Sequence, residues 1–185
     1  MKWMIASDLH GSKYYCEKLF GAFEREKADR LLLLGDLLYH GPRNELPREY
    51  DTKAVMALLN AHKEDLLCVR GNCDAEVDQM VLEFPIMAEY ALLDLGGMNV
   101  YATHGHKHGE QNPPVLQEGD VLLCGHTHVP KCAEHEGYIY MNPGSVSIPK
   151  ENSYHGYMVY ENHKFIWKDL EGNEKFRKEF QTPRV

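Results

Sequence analysis

The chain has 185 residues, 43% of them hydrophobic and 26% charged, with a formal net charge of -8. That length predicts one domain over residues 1–185 with a sizeable core, and no stretch approaches the ~20 apolar residues of a membrane span. The acidic balance argues against stable, sequence-independent nucleic-acid binding, which needs a basic face, but leaves room for an anionic substrate if bound divalent ions reverse the local charge.

Residues 2–7 read as a first strand ending in Asp8-Leu9-His10-Gly11-Ser12. Asp8 and His10 stand at i and i+2 on a strand end, so their side chains point the same way. Ser12 is placed to cap a helix over residues 13–26, whose N-terminus would face Asp8 and His10 and favour an anion. Residues 30–34 read as a buried strand closed by Gly35-Asp36. The loop 37–51 is long enough to be functional and carries His40-Gly41-Pro42-Arg43-Asn44, with Arg43 a candidate phosphate clamp. A helix over 52–62 and a strand over 65–69 follow, then Arg70-Gly71-Asn72-Cys73-Asp74. This alternation predicts an α/β fold with parallel strands, whose C-terminal ends share one edge where ligands collect.

From about Phe84 the pattern changes to short strands. Residues 87–95 and 99–102 are predicted to pair across Gly96-Gly97, and the second runs into Thr103-His104-Gly105-His106. After a loop over 107–119, an apolar strand at 121–124 ends in Gly125-His126-Thr127-His128. Hairpins are predicted for 131–135 with 138–141 and for 156–160 with 165–169, separated by a turn at Asn142-Pro143-Gly144-Ser145. No helix is expected after residue 85, and 171–185 reads as a strand or loose tail. The second half is expected to form its own mostly antiparallel sheet, packed on the first. Its aromatic strands, with Tyr138, Tyr140, Tyr157, Tyr160, Phe165 and Trp167, suggest a homo-oligomer through exposed edges. Five cysteines without a C-x-x-C motif, and no signal segment, predict buried free thiols and a cytoplasmic protein.

Seven strand-end residues form one set: Asp8, His10, Asp36, Asn72, His104, His126 and His128. A turn aspartate or a solvated histidine explains any one of them, but not five strand ends in succession. Seven oxygen and imidazole donors are too many for one tetrahedral zinc and suit two metals sharing a carboxylate. Asp8, His10, Asp36 and His128 would hold one ion, and Asp36, Asn72, His104 and His126 the other. The donor mix suits Mn²⁺, Fe²⁺ or Zn²⁺.

These blocks, Asp-x-His, Gly-Asp, Gly-Asn-x-Asp, His-Gly-His and Gly-His-x-His, resemble the calcineurin-like metallophosphoesterase superfamily across residues 1–150. The small size, His40-Gly41-Pro42-Arg43-Asn44, Gly71-Asn72-Cys73-Asp74 and Asn142-Pro143-Gly144-Ser145 together resemble its YfcE-type bacterial phosphodiesterases. The resemblance implies an α/β (in some schemes α+β) four-layer α-β-β-α sandwich of two mixed sheets flanked by helices. It implies two divalent metals, typically Mn²⁺ with Fe, Zn or Ni as alternatives, and hydrolysis of a small phosphodiester by a hydroxide bridging them. Larger relatives carry a proton-donating histidine where this chain has Cys73. The general-acid role is thus left among His40, Cys73 and His106. The rival with the same fold is a catalytically inactive protein-binding scaffold; such scaffolds lose ligands, and here all seven are present.

Overall fold

The computed structural model describes residues 1–181. The first half supplies β1 (Trp3–Ala6), α1 (Lys13–Glu26), β2 (Arg30–Leu33), α2 (Thr52–Ala61), β3 (Leu66–Cys68) and a four-residue α3 (Glu76–Gln79). The second supplies β4 (Tyr90–Asp94), β5 (Asn99–Thr103), β6 (Asp120–Leu123), β7 (Pro130–His135), β8 (Tyr138–Pro143), β9 (Gly156–Glu161), β10 (Lys164–Asp169) and β11 (Glu174–Glu179). The tail beyond residue 181, part of the stretch expected as strand or loose end, lies outside the described residues.

The strands form two mixed sheets, ordered β11-β10-β9-β1-β2-β3 and β4-β5-β6-β8-β7. In the first, β1, β2 and β3 run parallel, in register Ile5↔Leu32↔Leu67. Alternation then divides their side chains. Met4, Ala6, Leu31 and Leu33 pack under the helices, while Ile5, Leu32 and Leu34 pack against Val100, Ala102, Val121, Leu123 and Met141 of the second sheet. Both faces are buried, which is why these strands are unbroken apolar runs.

The second half does not keep to a sheet of its own. β9 pairs antiparallel with β1, bringing β10 and β11 into the first sheet. Tyr157, Met158, Val159 and Tyr160 are all buried, a pattern only an interior strand satisfies. Nor is the remaining sheet mostly antiparallel: β5, β6 and β8 run parallel, and only the edge strands β4 and β7 run against their neighbours. Tyr140, Tyr157, Tyr160, Phe165 and Trp167 are buried. Five of the six side chains that suggested self-association therefore fill the core, with Tyr138 half-buried, and Trp167 Nε1 donates to the Asn142 carbonyl at 2.7 Å.

Helix α1 starts where Ser12 Oγ accepts from the Tyr15 amide at 3.3 Å and ends at Lys27 in the left-handed conformation. Cys16, Leu19, Phe20 and Phe23, at i, i+3, i+4 and i+7, form its buried stripe; burying a large apolar side chain stabilises by ~1.5–3 kcal/mol. The Lys13 amide donates to the Glu49 carbonyl at 3.0 Å. Two first-turn donors, the Lys13 and Tyr15 amides, are thus engaged inside the protein. All five cysteines are free thiols; Cys16, Cys68 and Cys124 are buried, Cys73 and Cys132 half-buried. Among the described residues no helix covers the outer face of the second sheet; Leu116, from the segment after β5, packs there on Leu122 and Tyr140.

Candidate metal centre

Each predicted donor stands just past the C-terminal end of a strand: Asp8 and His10 after β1, Asp36 after β2, Asn72 after β3, His104 after β5, His126 and His128 after β6. Five of these seven occupy the left-handed region, with φ of 60° at Asp8, 48° at His10, 56° at Asp36, 68° at His126 and 62° at His128. Such conformations cost on the order of 1–3 kcal/mol each and persist where the surroundings over-determine them.

Here the surroundings do so through buried hydrogen bonds. The Asp8 amide donates to Gly35 O at 3.1 Å and the His10 amide to Asp36 O at 2.9 Å. The His126 amide donates to Asp8 Oδ2 at 3.0 Å, and the Cys73 amide to Asp36 Oδ1 at 2.8 Å. Two glycines permit the turns to approach. A Cβ on Gly71 would lie 2.1 Å from Asp36 Oδ1, and one on Gly125 would lie 1.9 Å from Ser7 Oγ.

The donors converge into two groups that share Asp36. In the first, His128 Nε2 lies 3.3 Å and His10 Nε2 3.6 Å from Asp8 Oδ1, and His10 Nε2 lies 3.7 Å from Asp36 Oδ2. In the second, His104 Nε2 lies 3.4 Å from Asp36 Oδ2 and 3.0 Å from Asn72 Oδ1, with His126 Nδ1 3.2 Å from His104 Nε2.

Three of the imidazoles are fixed in tautomer. Nδ1 of His10, His104 and His128 meets the carbonyls of Tyr39, Leu34 and Ile148 at 2.8, 2.6 and 2.6 Å. A carbonyl only accepts, so each Nδ1 carries a proton and each ring, when neutral, aims an Nε2 lone pair inward. His10 and His128 thus bring two lone pairs within 3.2 Å of each other, beside Asp8 Oδ1, which is buried with no hydrogen-bond partner. Lone pairs and an orphaned carboxylate oxygen repel one another unless a metal ion or a proton lies between them. The donor set fits divalent metal ions.

With no metal bound, the same field instead draws protons onto imidazoles: burial opposes a proton on His10, but the Asp8 carboxylate outweighs it and raises the pKa. Burial opposes charge on Asp8, but His10, His128 and His104 outweigh it and hold its carboxyl well below the usual range. Burial also opposes a proton on His104, yet Asp36 and Asp8 raise its pKa to about 9. His126 is pushed down to about 4 by burial and then by the His104 charge. Without metal, the carboxylates recruit a proton to His104, and a metal ion competes for the same place.

Over this centre lies a cleft of about 330 Å³, lined by Arg43, Asn72, Cys73, His126, His128 and Lys150 among others. The other predicted residues are distributed around it. Cys73, with His10 and Asp36, belongs to a group whose donor atoms all lie within 4.8 Å of one another, so its sulfur stands beside the donors. Burial and the Asp36 charge push its thiol up to about 12. His106 is 5.4 Å from His104 and 6.2 Å from His126 between ring centroids, and burial and the His104 charge lower its pKa. His40 is packed edge-on between Tyr39 and Tyr50 and does not line the cleft; its Nδ1 is buried without a partner.

A calcineurin-like phosphoesterase superfamily domain matches residues 1–164. The chain belongs to the calcineurin-like phosphoesterase superfamily. It is 44% identical over 162 residues to phosphodiesterase YfcE of Escherichia coli strain K12, covering 88% of each chain. The solved structure of E. coli YfcE superposes with a TM-score of 0.94 at 40% identity, over 98% of this chain and all of that one. Vps29 of Chaetomium thermophilum shares the fold alone, with a TM-score of 0.63 at 19% identity over 95% of this chain and 94% of that one.

Membership gives meaning to residues that carried no role in the sequence. The phosphoesterase block Gly-Asn-x-Asp ends in Asp74, a buried carboxylate that accepts the amides of Asp36, Leu37 and Gly71 at 2.9, 2.9 and 2.7 Å and so ties the Asp36 turn to the Asn72 turn. Asn142-Pro143-Gly144-Ser145 is more than a turn. Asn142 Nδ2 donates to Gly125 O and Thr127 Oγ1, while Ser145 and Ser147 hydroxyls both donate to Asp8 O at 2.9 Å. This segment braces the turns of Asp8 and His126 together. Nothing in the sequence singles out Lys150, which reaches the cleft because its amide is tied to His128 O at 3.1 Å.

Proposed function

We propose that the protein is a metal-dependent phosphodiesterase with two divalent ions, Mn²⁺ foremost, acting on a small diester. Asp8, His10, Asp36 and His128 would hold one ion, and Asp36, Asn72, His104 and His126 the other, with Asp36 shared. One observation carries this reading: the inward lone pairs of His10 and His128, 3.2 Å apart beside the orphaned Asp8 Oδ1. Ions bound there supply Lewis acidity and lower the pKa of a coordinated water towards ~7.

The chain's own residues account for the rest. Two carboxylates against two divalent ions leave a positive site, suited to an anionic diester. Arg43 and Lys150 line the cleft above it and would orient the free phosphoryl oxygens. Protonation of the departing alkoxide is weakly served. The lowered pKa of His106 leaves it neutral at pH 7, and the Cys73 thiol, pushed to about 12 by burial and the Asp36 charge without metal, would be drawn towards thiolate by bound cations. His40 lies off the cleft. The enzyme therefore favours alcohols that leave unprotonated, since general acid catalysis contributes ~10²–10⁴-fold. The free thiols support a reducing, cytoplasmic setting. Among the described residues no helix is long and apolar enough to cross a membrane.

The test is hydrolysis of bis(p-nitrophenyl) phosphate by chelated and Mn²⁺-reconstituted protein. Loss on chelation and recovery with Mn²⁺ are expected. Full turnover by protein shown metal-free by elemental analysis would refute the reading.

A further inference from the structure

Two clefts open side by side at Asn72. One lies over the candidate metal centre. The other, about 310 Å³, is lined by Arg70, Asn72, Tyr90, Tyr101, His106 and Lys107 among others. His106 marks the junction, its ring 6.2 Å from that of His126. A diester has two arms, and a cleft that seats the phosphoryl group leaves them to be received nearby. The second volume is at the low end of the ~300–1,000 Å³ of small-molecule sites, enough for one arm.

Its walls specify the arm. Tyr90 on β4 and Tyr101 on β5 stack on each other with centroids 4.9 Å apart and planes at 16°, and both line the cleft. Tyr90 is 52% exposed, a large ring left uncovered beside the site. The one carboxylate, Glu89, is engaged by Lys107. Arg70 Nε donates to Asp74 O at 3.1 Å, and its Nη1 is only loosely paired, 3.7 Å from Glu76 on the surface. That leaves guanidinium N–H groups for the cleft. A planar ring with acceptors on its rim matches this combination: its face stacks on tyrosine and its rim accepts from arginine. An alkyl chain would use neither.

We propose that this cleft receives a nucleoside arm, so that the preferred substrates are small nucleotidyl diesters. The proposal rests on the phosphodiesterase reading above. Its test compares adenosine 5′-(p-nitrophenyl phosphate) with methyl p-nitrophenyl phosphate on Mn²⁺-loaded protein. Wild type favours the adenosine diester in kcat/KM, and Tyr90→Ala shrinks that preference about 5- to 150-fold, the scale of one base stacked on an aromatic ring. Leu92→Ala, exposed on the same strand but outside the cleft, keeps the preference. Equal losses on both diesters overturn the proposal, because the cleft then reads the nitrophenyl group they share; so does a wild type without preference. Saturation-transfer NMR of adenosine 5′-monophosphate judges the cleft independently of turnover. Adenine signals are expected with wild-type protein and weakened with Tyr90→Ala, and signals that persist in the variant overturn it. If neither diester turns over, the phosphodiesterase reading fails, and the NMR result alone decides the cleft.

Discussion

Strand β1 has an enclosed carboxylate near each end, Glu26 half-buried and Asp8 fully buried, and the two are treated in opposite ways. At its N-terminal end Glu26 is enclosed by matched donors: Lys168 Nζ at 2.7 Å, Tyr157 Oη at 2.8 Å and Lys2 Nζ at 3.1 Å. At its C-terminal end Asp8 has an orphaned oxygen and, for neighbours, imidazoles presenting lone pairs. The first arrangement is complete within the chain and serves stability. The second is complete only when a cation arrives, and it is built on backbone turns in the left-handed region. A buried charge satisfied by its own fold holds a structure together; a buried charge left unsatisfied marks a site.

Changes at the two ends should separate accordingly. The largest effect is expected from Asp36→Asn, because Asp36 stands in both donor groups. It should lower kcat at least ~100-fold with fewer than two ions retained, at the upper end of losses when metal-site contacts are removed; turnover within tenfold of wild type would break the bridging assignment. Next comes Asp74→Ala, which strips three buried amides of a charged acceptor. At ~1.5–3 kcal/mol for a hydrogen bond to a charged group, thermal unfolding should drop by several degrees, and metal affinity should fall ~10- to 100-fold with it. A variant that loses stability but binds metal normally would show that the Asp36 and Asn72 turns do not need their tie. Asn72→Ala should be narrower, weakening one ion while the group of Asp8, His10 and His128 keeps the other.

The smallest effect belongs to the far end. Burial raises the Glu26 pKa, but Lys168, Tyr157 and Lys2 outweigh burial and hold it below the ordinary 4.5. A lowered carboxylate stabilises the fold fully above its unfolded value, and that contribution fades as pH falls through the folded one. Wild type should therefore lose part of its urea resistance between pH 5 and pH 3 relative to Glu26→Gln, with metal content unaffected at pH 7. Parallel pH profiles for the two proteins would remove the contrast.

Much of the site was legible in the sequence because chain order and geometry coincide there. Apolar strands of a parallel sheet end on one edge, so Asp8, Asp36 and Asn72 had to meet once the alternation was recognised; His104 and His126 join them because β5 and β6 also run parallel, in a second sheet that the sequence suggested was mostly antiparallel. The pairing of β9 with β1 was not legible in the same way. It joins residues over 150 apart in sequence, and the two-sided burial of residues 157–160 resembles any short apolar hairpin until a neighbour is assigned. The bracing by Asn142, Ser145 and Ser147 was hidden for a related reason: small polar residues in a turn acquire a role only through the distant carbonyls they meet. Lys150 carried no signal at all. Cys73 was visible as a departure from larger relatives, but its proximity to Asp36 and its raised pKa come from three-dimensional packing.

The central claim is that the strand-end turns form one centre for two cations around Asp36. Metal stoichiometry by elemental analysis, on wild type and Asp36→Asn purified and reconstituted side by side with Mn²⁺, tests it most directly. The account predicts about two ions per wild-type chain, with both sites depleted in Asp36→Asn. A wild type that is fully active with one ion per chain, or an Asp36→Asn variant that still holds two, would contradict it.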